Sequence, residues 1–292
     1  MKQYVLGAAA GCAALAAAVL LESRRERRTL TTAAYTLRSR KLRGEEKTFV
    51  FLSDLHDWQF GEENRGLLQK IKALKPDAVL IGGDMMTVKK QAAIGSTLLL
   101  AERLAERWPV FYAEGNHETR LDRDRGCYGA LYDELMEGLK KAGVVFLKNQ
   151  SVDFGEDIRI SGLRIDSQFY RRRADMSMEK EYLTQRLGAA AQDRFQILLA
   201  HSPLFHPAYA DWGADLTLAG HFHGGTIQLP GGVGLMTPQF HFFYKKVTGI
   251  HVHGSKHAEM IVSQGLGTHS VNLRINNYPQ LVCVHLKGAD VQ

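Results

Sequence analysis

The sequence predicts an α/β fold in which short apolar strands end in loops that carry metal-ligating side chains. Three observations predict it. Buried-strand runs alternate with amphipathic helical stretches from Lys47 to Leu147. Asp, His and Asn residues recur just past the ends of those runs. A pair of histidines, His221 and His223, closes the series after Leu216-Thr217-Leu218-Ala219, framed by Gly220, Gly224 and Gly225. Period two places both imidazoles on one side of an extended chain. The flanking glycines let the backbone turn and approach a ligand closely.

A chain of 292 residues with 45% hydrophobic content can bury a sizeable core, as one large domain or two small ones. Its first element is the uncharged, Ala-rich stretch Tyr4–Leu21. That length just reaches what a bilayer requires. The expectation is a transmembrane anchor over residues 1–23. A signal peptide and an Ala-rich helix packed on the domain are the rival readings. Arg24, Arg25, Arg27 and Arg28 follow the apolar run. Lys and Arg collect on the cytoplasmic side, which predicts a single-pass protein of the cell membrane with its remaining domain in the cytoplasm. Residues 24–46 read as a basic linker, with Thr29–Leu42 as a candidate leading strand because of its β-branched, alternating character.

Residues 47–292 form the main domain. The run Thr48–Leu52 reads as a strand ending in Asp54-Leu55-His56. A helix follows over Asn64–Leu74, with Leu67, Leu68, Ile71 and Leu74 spaced for one face and Pro76 as the stop. Ala78–Ile81 is the next strand and ends in Gly82-Gly83-Asp84. A helix over Ile94–Trp108 leads to the strand Val110–Ala113 and then Gly115-Asn116-His117-Glu118. Tyr128–Lys141 reads as a helix and Val144–Leu147 as a strand. Beyond Lys148, Val152–Phe154 and Ile158–Leu163 read as a hairpin, and Glu179–Leu187 as a short helix. Phe195–Ala200 is a strong strand ending in His201. The tail is β-rich, with strands expected over 226–229, 247–252, 260–262 and 281–286. The expected picture is two β-rich halves with helices outside, meeting at one edge where strand ends gather ligands.

Composition narrows the function. Three cysteines, Cys12, Cys127 and Cys283, are too few and too scattered for a disulfide framework or a thiolate zinc site. Cys127 and Cys283 read as reduced packing residues. The net charge of +6 is concentrated between Arg24 and Arg43, so it is weak evidence for a nucleic-acid partner. Elsewhere no Lys/Arg stripe is interleaved with aromatics, which also argues against nucleic acid.

The ordered set Asp54-x-His56, Gly82-Gly83-Asp84, Gly115-Asn116-His117-Glu118, His201 and Gly220-His221-x-His223 resembles the calcineurin-like metallophosphoesterases. The apolar N-terminus, the Gly-Gly after the His pair and the stretch from Gly265 to Arg274 resemble a membrane-associated bacterial YkuE-like phosphodiesterase branch. The resemblance implies a four-layer α/β/β/α metallophosphoesterase sandwich with an N-terminal membrane helix. It implies that Asp54, His56 and His223 hold one divalent cation, that Asn116, His201 and His221 hold a second, and that Asp84 bridges them. Imidazole, carboxylate and amide donors without thiolates suit Mn, Fe or Zn, with Mn the first expectation. Two divalent cations against two carboxylates and a hydroxide leave a net positive shell, matched to an anionic phosphoester. His117 would donate a proton to the leaving oxygen or pair with the phosphate.

The implied reaction is hydrolysis of a phosphodiester or pyrophosphate bond by a metal-activated hydroxide, with no covalent enzyme intermediate. A lipid-linked phosphate is one candidate substrate, soluble diesters are another, and no substrate-binding residues are assigned. The alternative is a non-catalytic metal-binding scaffold at the membrane, which the loss of a ligand would favour; every ligand position is filled. Glu118 is either a residue that orients a ligand or a solvated helix start. Arg171-Arg172-Arg173 reads as a solvated loop. His206, His241, His257, His269 and the pair His251-x-His253 read as ordinary surface or core histidines.

Overall fold

The computed structural model describes residues 2–171, 177–254, 258–268 and 271–289. Its strands in chain order are β1 (Thr31–Ser39), β2 (Lys47–Leu52), β3 (Ala78–Ile81), β4 (Val110–Tyr112), β5 (Val145–Phe146), β6 (Gln150–Phe154), β7 (Ile158–Leu163) and β8 (Phe195–Ala200). They continue as β9 (Leu216–Ala219), β10 (Gln228–Leu229), β11 (Val233–Met236), β12 (Phe242–Tyr244), β13 (Gly249–His253), β14 (Ala258–Val262) and β15 (Gln280–Gly288). The helices are α1 (Lys2–Arg28), α2 (Arg65–Leu74), α3 (Gly95–Ala105), α4 (Asn116–Arg123), α5 (Arg125–Tyr128), α6 (Leu131–Lys141), α7 (Lys180–Leu187) and α8 (His206–Trp212).

Two six-stranded sheets organise the chain, in the orders β1-β15-β2-β3-β4-β5 and β13-β14-β9-β8-β7-β6. Both are mixed. Strands β2 to β5 run parallel, and β15 runs antiparallel to β2. In the second sheet β14, β9, β8 and β7 run parallel, with antiparallel edges at β13 and β6.

The two-residue period of the strands sorts side chains between layers. On β2, Phe49 and Phe51 join the apolar core that also takes Ile197, Leu199, Leu216 and Leu218 from the second sheet. Val50 and Leu52 face the other way, into the core shared with Leu67 and Ile71 of α2, Leu100 of α3 and Leu135 of α6. On β8, Leu198 and Ala200 pack with Leu183 of α7 and Tyr209 of α8. The layers are therefore helices, sheet, sheet, helices, as the resemblance implies. A small sheet, β10-β11-β12, stands apart from the two large ones.

The N-terminus departs from expectation. Among the described residues no helix is long and apolar enough to cross a membrane, so the structure does not support an anchor over residues 1–23. The last turns of α1 are committed to the domain: Ser23 and Glu26 are buried, and Ser23 Oγ accepts from the Arg274 main-chain N–H. Alanine is also a weak membrane residue. The stretch after α1 does hold the candidate leading strand: β1 pairs in parallel with all of β15 from Thr31 to Ser39. Cys283 is buried, but Cys127 is exposed and is not a packing residue.

Candidate metal centre

The expected ligands stand where five strands end. Asp54 and His56 follow β2, Asp84 follows β3, Asn116 opens α4 after β4, His201 follows β8, and His221 and His223 follow β9. The two sheets contribute from opposite sides, so residues far apart in the chain converge. Asp54, His56 and His223 each place a ligand atom within 4.8 Å of the others; so do Asp84, His201 and His221, and so do His56, Asp84 and His117. Asp84 belongs to two of these groups, as a bridging carboxylate requires.

Hydrogen bonds fix which imidazole nitrogen faces inward. His201 Nδ1 lies 2.7 Å from the Gly82 carbonyl, which only accepts, so Nδ1 carries the proton and Nε2 presents its lone pair. That Nε2 is 3.2 Å from Asp84 Oδ2 and 3.7 Å from Asp54 Oδ1. His223 is set the same way: Nδ1 is 3.2 Å from the Gly267 carbonyl, and Nε2 is 3.3 Å from Asp54 Oδ1. His56 Nε2 lies 3.2 Å from His223 Nε2 and 3.8 Å from Asp84 Oδ2. Donor atoms bonded to one cation at about 2.0–2.2 Å stand roughly 3.0–3.5 Å apart. The His201–Asp84, His223–Asp54 and His56–His223 spacings, at 3.2, 3.3 and 3.2 Å, fall in that range, while the 3.7 and 3.8 Å pairs are somewhat wider.

Electrostatics agree with the geometry. Burial pulls the His201 imidazole down, but the Asp84 and Asp54 carboxylates overrule it and lift it to about 10. Two buried carboxylates thus demand positive charge at His201 Nε2, and a divalent cation meets the same demand by displacing the proton. His201 Nε2 and Asn116 Oδ1 are buried without a hydrogen-bond partner. Such atoms are costly unless something binds them. The residues present therefore fit a pair of divalent cations.

His221 differs. Gln239 Nε2 lies 2.6 Å from His221 Nε2 while Gln239 Oε1 is buried without a partner. Exchanging the two ends of this amide lets Oε1 accept from His221 Nε2–H and leaves Nδ1 as the ligand atom.

The backbone is held in unusual conformations here. Asp54, His56, Asp84, His221 and His223 all have positive φ, between 47° and 68°. Each such residue costs on the order of 1 kcal/mol or more and persists where the surroundings dictate it. Two glycines permit the approach of the loops. A Cβ on Gly83 would collide with the Gly115 main-chain nitrogen, and one on Gly220 would collide with Ser53 Oγ.

Glu118 decides between its two readings. It is fully buried and acts as a clamp. Its Oε2 accepts from the Asp84 and Gly115 N–H groups, both at 2.9 Å. Its Oε1 accepts from Met85 N–H at 3.1 Å and from the Tyr112 hydroxyl at 2.6 Å. Burial, with the nearby Asp84 charge, pushes its carboxyl up to about 7.

His117 Nδ1 accepts from the Val88 N–H at 2.6 Å, which leaves the proton on Nε2. Burial pushes this imidazole down to about 4, so near neutral pH it is an uncharged hydrogen-bond donor. It lines a cavity of about 400 Å³ with His56, Asp84, Asn116, His221 and His223. Arg120, Arg123 and Arg171 line the same cavity, and so do Met236, Pro238, Phe240, Val271 and Leu273. Tyr170 sits against His221 edge-on, with ring centres 5.0 Å apart. Tyr170 and Gln239 escaped the sequence reading because neither belongs to a ligand motif. Arg172, Arg173, His257 and His269 lie outside the described residues. His251 and His253 are half-buried on β13, away from the convergent set, and His206 is buried beside His253.

Residues 47–225 match the family described as calcineurin-like phosphoesterase. The chain is 28% identical over 260 residues to the uncharacterized protein YpbG of Bacillus subtilis, covering 86% of this chain and 85% of that one. It is 27% identical over 250 residues to the uncharacterized metallophosphoesterase YkuE of the same organism, covering 82% and 79%. It is 27% identical over 243 residues to the phosphodiesterase YaeI of Escherichia coli, covering 81% of each chain. Among solved structures, a 5'-nucleotidase precursor from Thermus thermophilus aligns with a TM-score of 0.46 at 16% identity, over 75% of this chain and 48% of that one.

Proposed function

This chain belongs to the calcineurin-like phosphoesterase family and is a metal-dependent phosphohydrolase, and from that premise we propose that it hydrolyses a phosphodiester or pyrophosphate bond at the Asp84-centred site. The observation that carries the reading is the convergence of inward-facing imidazole nitrogens on two buried carboxylates.

Asp54, His56 and His223 would hold one divalent cation, Asn116, His201 and His221 the other, with Asp84 shared. When bound, the pair supplies Lewis-acid polarisation of the phosphoryl oxygens and a water acidic enough to attack near neutral pH. The chain's own residues do the rest. The Gly82 and Gly267 carbonyls hold His201 and His223 in the ligating tautomer. Glu118 holds the Asp84 loop. His117, with its proton on Nε2, donates a hydrogen bond to the phosphoryl or leaving oxygen. Arg120, Arg123 and Arg171 on the cavity wall suit the anionic group.

The apolar wall of Met236, Pro238, Phe240, Val271 and Leu273 supports an alcohol portion that is itself apolar. A lipid-linked phosphate would fit that description, as would a bulky aromatic diester. The test is turnover of bis-p-nitrophenyl phosphate and p-nitrophenyl phosphate with added manganese. The reading expects the diester to be cleaved faster and activity to vanish in Asp84→Ala. Metal-independent turnover, or full activity in Asp84→Ala, would refute it.

A further inference from the structure

Among the described residues Arg274 is the largest fully buried side chain, and it lies at the edge of the same cavity. Its two terminal nitrogens are committed to carbonyl oxygens, while Nε is buried without a hydrogen-bond partner. Nη2 donates to Gln264 O at 2.9 Å, Gly265 O at 3.2 Å and Gly267 O at 2.6 Å. Nη1 donates to the Asn277 carbonyl at 3.3 Å and to Asn277 Oδ1 at 3.2 Å. The loop it gathers is the one packed on two expected ligands. Leu266 N–H donates to Ser53 O, Gly267 N–H to Asp54 O, and the Gly267 carbonyl faces His223 Nδ1. A buried guanidinium beside a cation site opposes that cation by Coulomb repulsion. Its place is therefore explained by the carbonyls it holds and not by the charge it adds.

The other end of the same segment is held by α1. Glu26, itself buried, accepts from Asn276 N–H at 2.8 Å and Asn277 N–H at 3.0 Å. Asn277 Nδ2 then donates to the His223 carbonyl at 2.7 Å and the Thr226 carbonyl at 3.2 Å. His223 is thus fixed twice, at its ring through Gly267 and at its backbone through Asn277. Its positive φ of 47° needs such holding.

We propose that Arg274 and Glu26 are positioning residues of the metal centre, and that docking of the N-terminal helix is thermodynamically coupled to occupation of the Asp54–His56–His223 cluster. The coupling rests on the dinuclear reading above. It is reciprocal: a cation that orders His223 must also tighten α1, and loosening α1 must weaken that cation. Among the described residues no hydrogen bond joins Arg274 or Glu26 to the second cluster, Asp84–His201–His221, which is not coupled in this way.

The experiment is a manganese titration of the full chain, read by loss of the free-ion EPR signal, for wild type, Glu26→Gln and Arg274→Lys. Wild type is expected to hold two ions. Each variant is expected to keep one affinity unchanged and to weaken the other by about 10- to 100-fold, the usual effect of removing a partner behind a ligand. Two unchanged affinities in both variants would overturn the inference while leaving the dinuclear reading intact. Fewer than two ions in wild type would overturn both. A variant that loses its fold is replaced by hydrogen exchange on wild type alone. Saturating manganese is expected to slow exchange of the α1 amides at Ser23–Arg28, and unchanged exchange there refutes the coupling.

Discussion

Replacing Glu118 tests how much of the site is stored in one carboxylate. Glu118→Ala removes the acceptor from three buried N–H groups, those of Asp84, Met85 and Gly115, and from the Tyr112 hydroxyl. An orphaned buried donor costs about 1–3 kcal/mol, and the hydroxyl can turn elsewhere, so the loss is about 3–6 kcal/mol after allowing for relaxation. Glu118→Gln is the informative control, since its shape is conserved. The amide oxygen can take the place of Oε2 and keep Asp84 and Gly115, while the amide nitrogen can donate to Tyr112 if that hydroxyl reverses. Only Met85 N–H is then left unpaired, at a cost of about 1–3 kcal/mol. Urea unfolding of the three proteins, with metal chelated, measures both values. Equal midpoints for wild type and Glu118→Ala would refute the clamp. So would a glutamine variant as unstable as the alanine variant, because the cost would then lie in lost charge and not in lost acceptors.

Three other predictions concern the site and its surroundings. His117→Ala should lower kcat for a bis-aryl phosphate by roughly 10²- to 10⁴-fold while leaving metal content unchanged; metal loss in step with activity would make His117 a ligand and not a donor. Chelation should lower Tm, because cations that bind only the folded chain stabilise it by mass action; an unchanged Tm would mean that none was bound. His206 makes stability depend on pH. Burial, aided by His253, pushes its imidazole down to about 4, against an ordinary value near 6.5. Between these values the unfolded chain binds the extra proton, so stability is full above about pH 6.5 and falls as the pH drops towards 4. The full shift corresponds to about 3 kcal/mol, and solvent screening makes the loss smaller than that. His206→Asn should flatten this slope in a denaturation series over that range, and an unchanged slope would discount the residue.

Much of this was legible in the sequence, for identifiable reasons. Strands such as Ala78–Ile81, and Ile197–Ala200 within β8, are continuous apolar runs because parallel strands here are buried on both faces. Each ligand sits just past such a run, so the order of the motifs carries the topology. Helix α4 was invisible because Asn-His-Glu-Thr-Arg-Leu-Asp-Arg has no apolar period, its start being fixed by the site itself. The helix expected from Tyr128 begins only at Leu131, because Gly129 breaks the chain with φ 59°. The role of Arg274 could not be read either. Its partners are carbonyls of a loop that pairs with nothing nearby in sequence, and its second support, Glu26, lies 248 positions away. The apolar N-terminal run was legible as composition, but the docking of its last turn depends on these same long-range contacts.

The most direct test is a crystal of the full chain grown with manganese and measured at the manganese absorption edge. The account predicts two anomalous peaks about 3.5–4 Å apart, with Asp84 touching both. A single peak, or two that do not share Asp84, would contradict it.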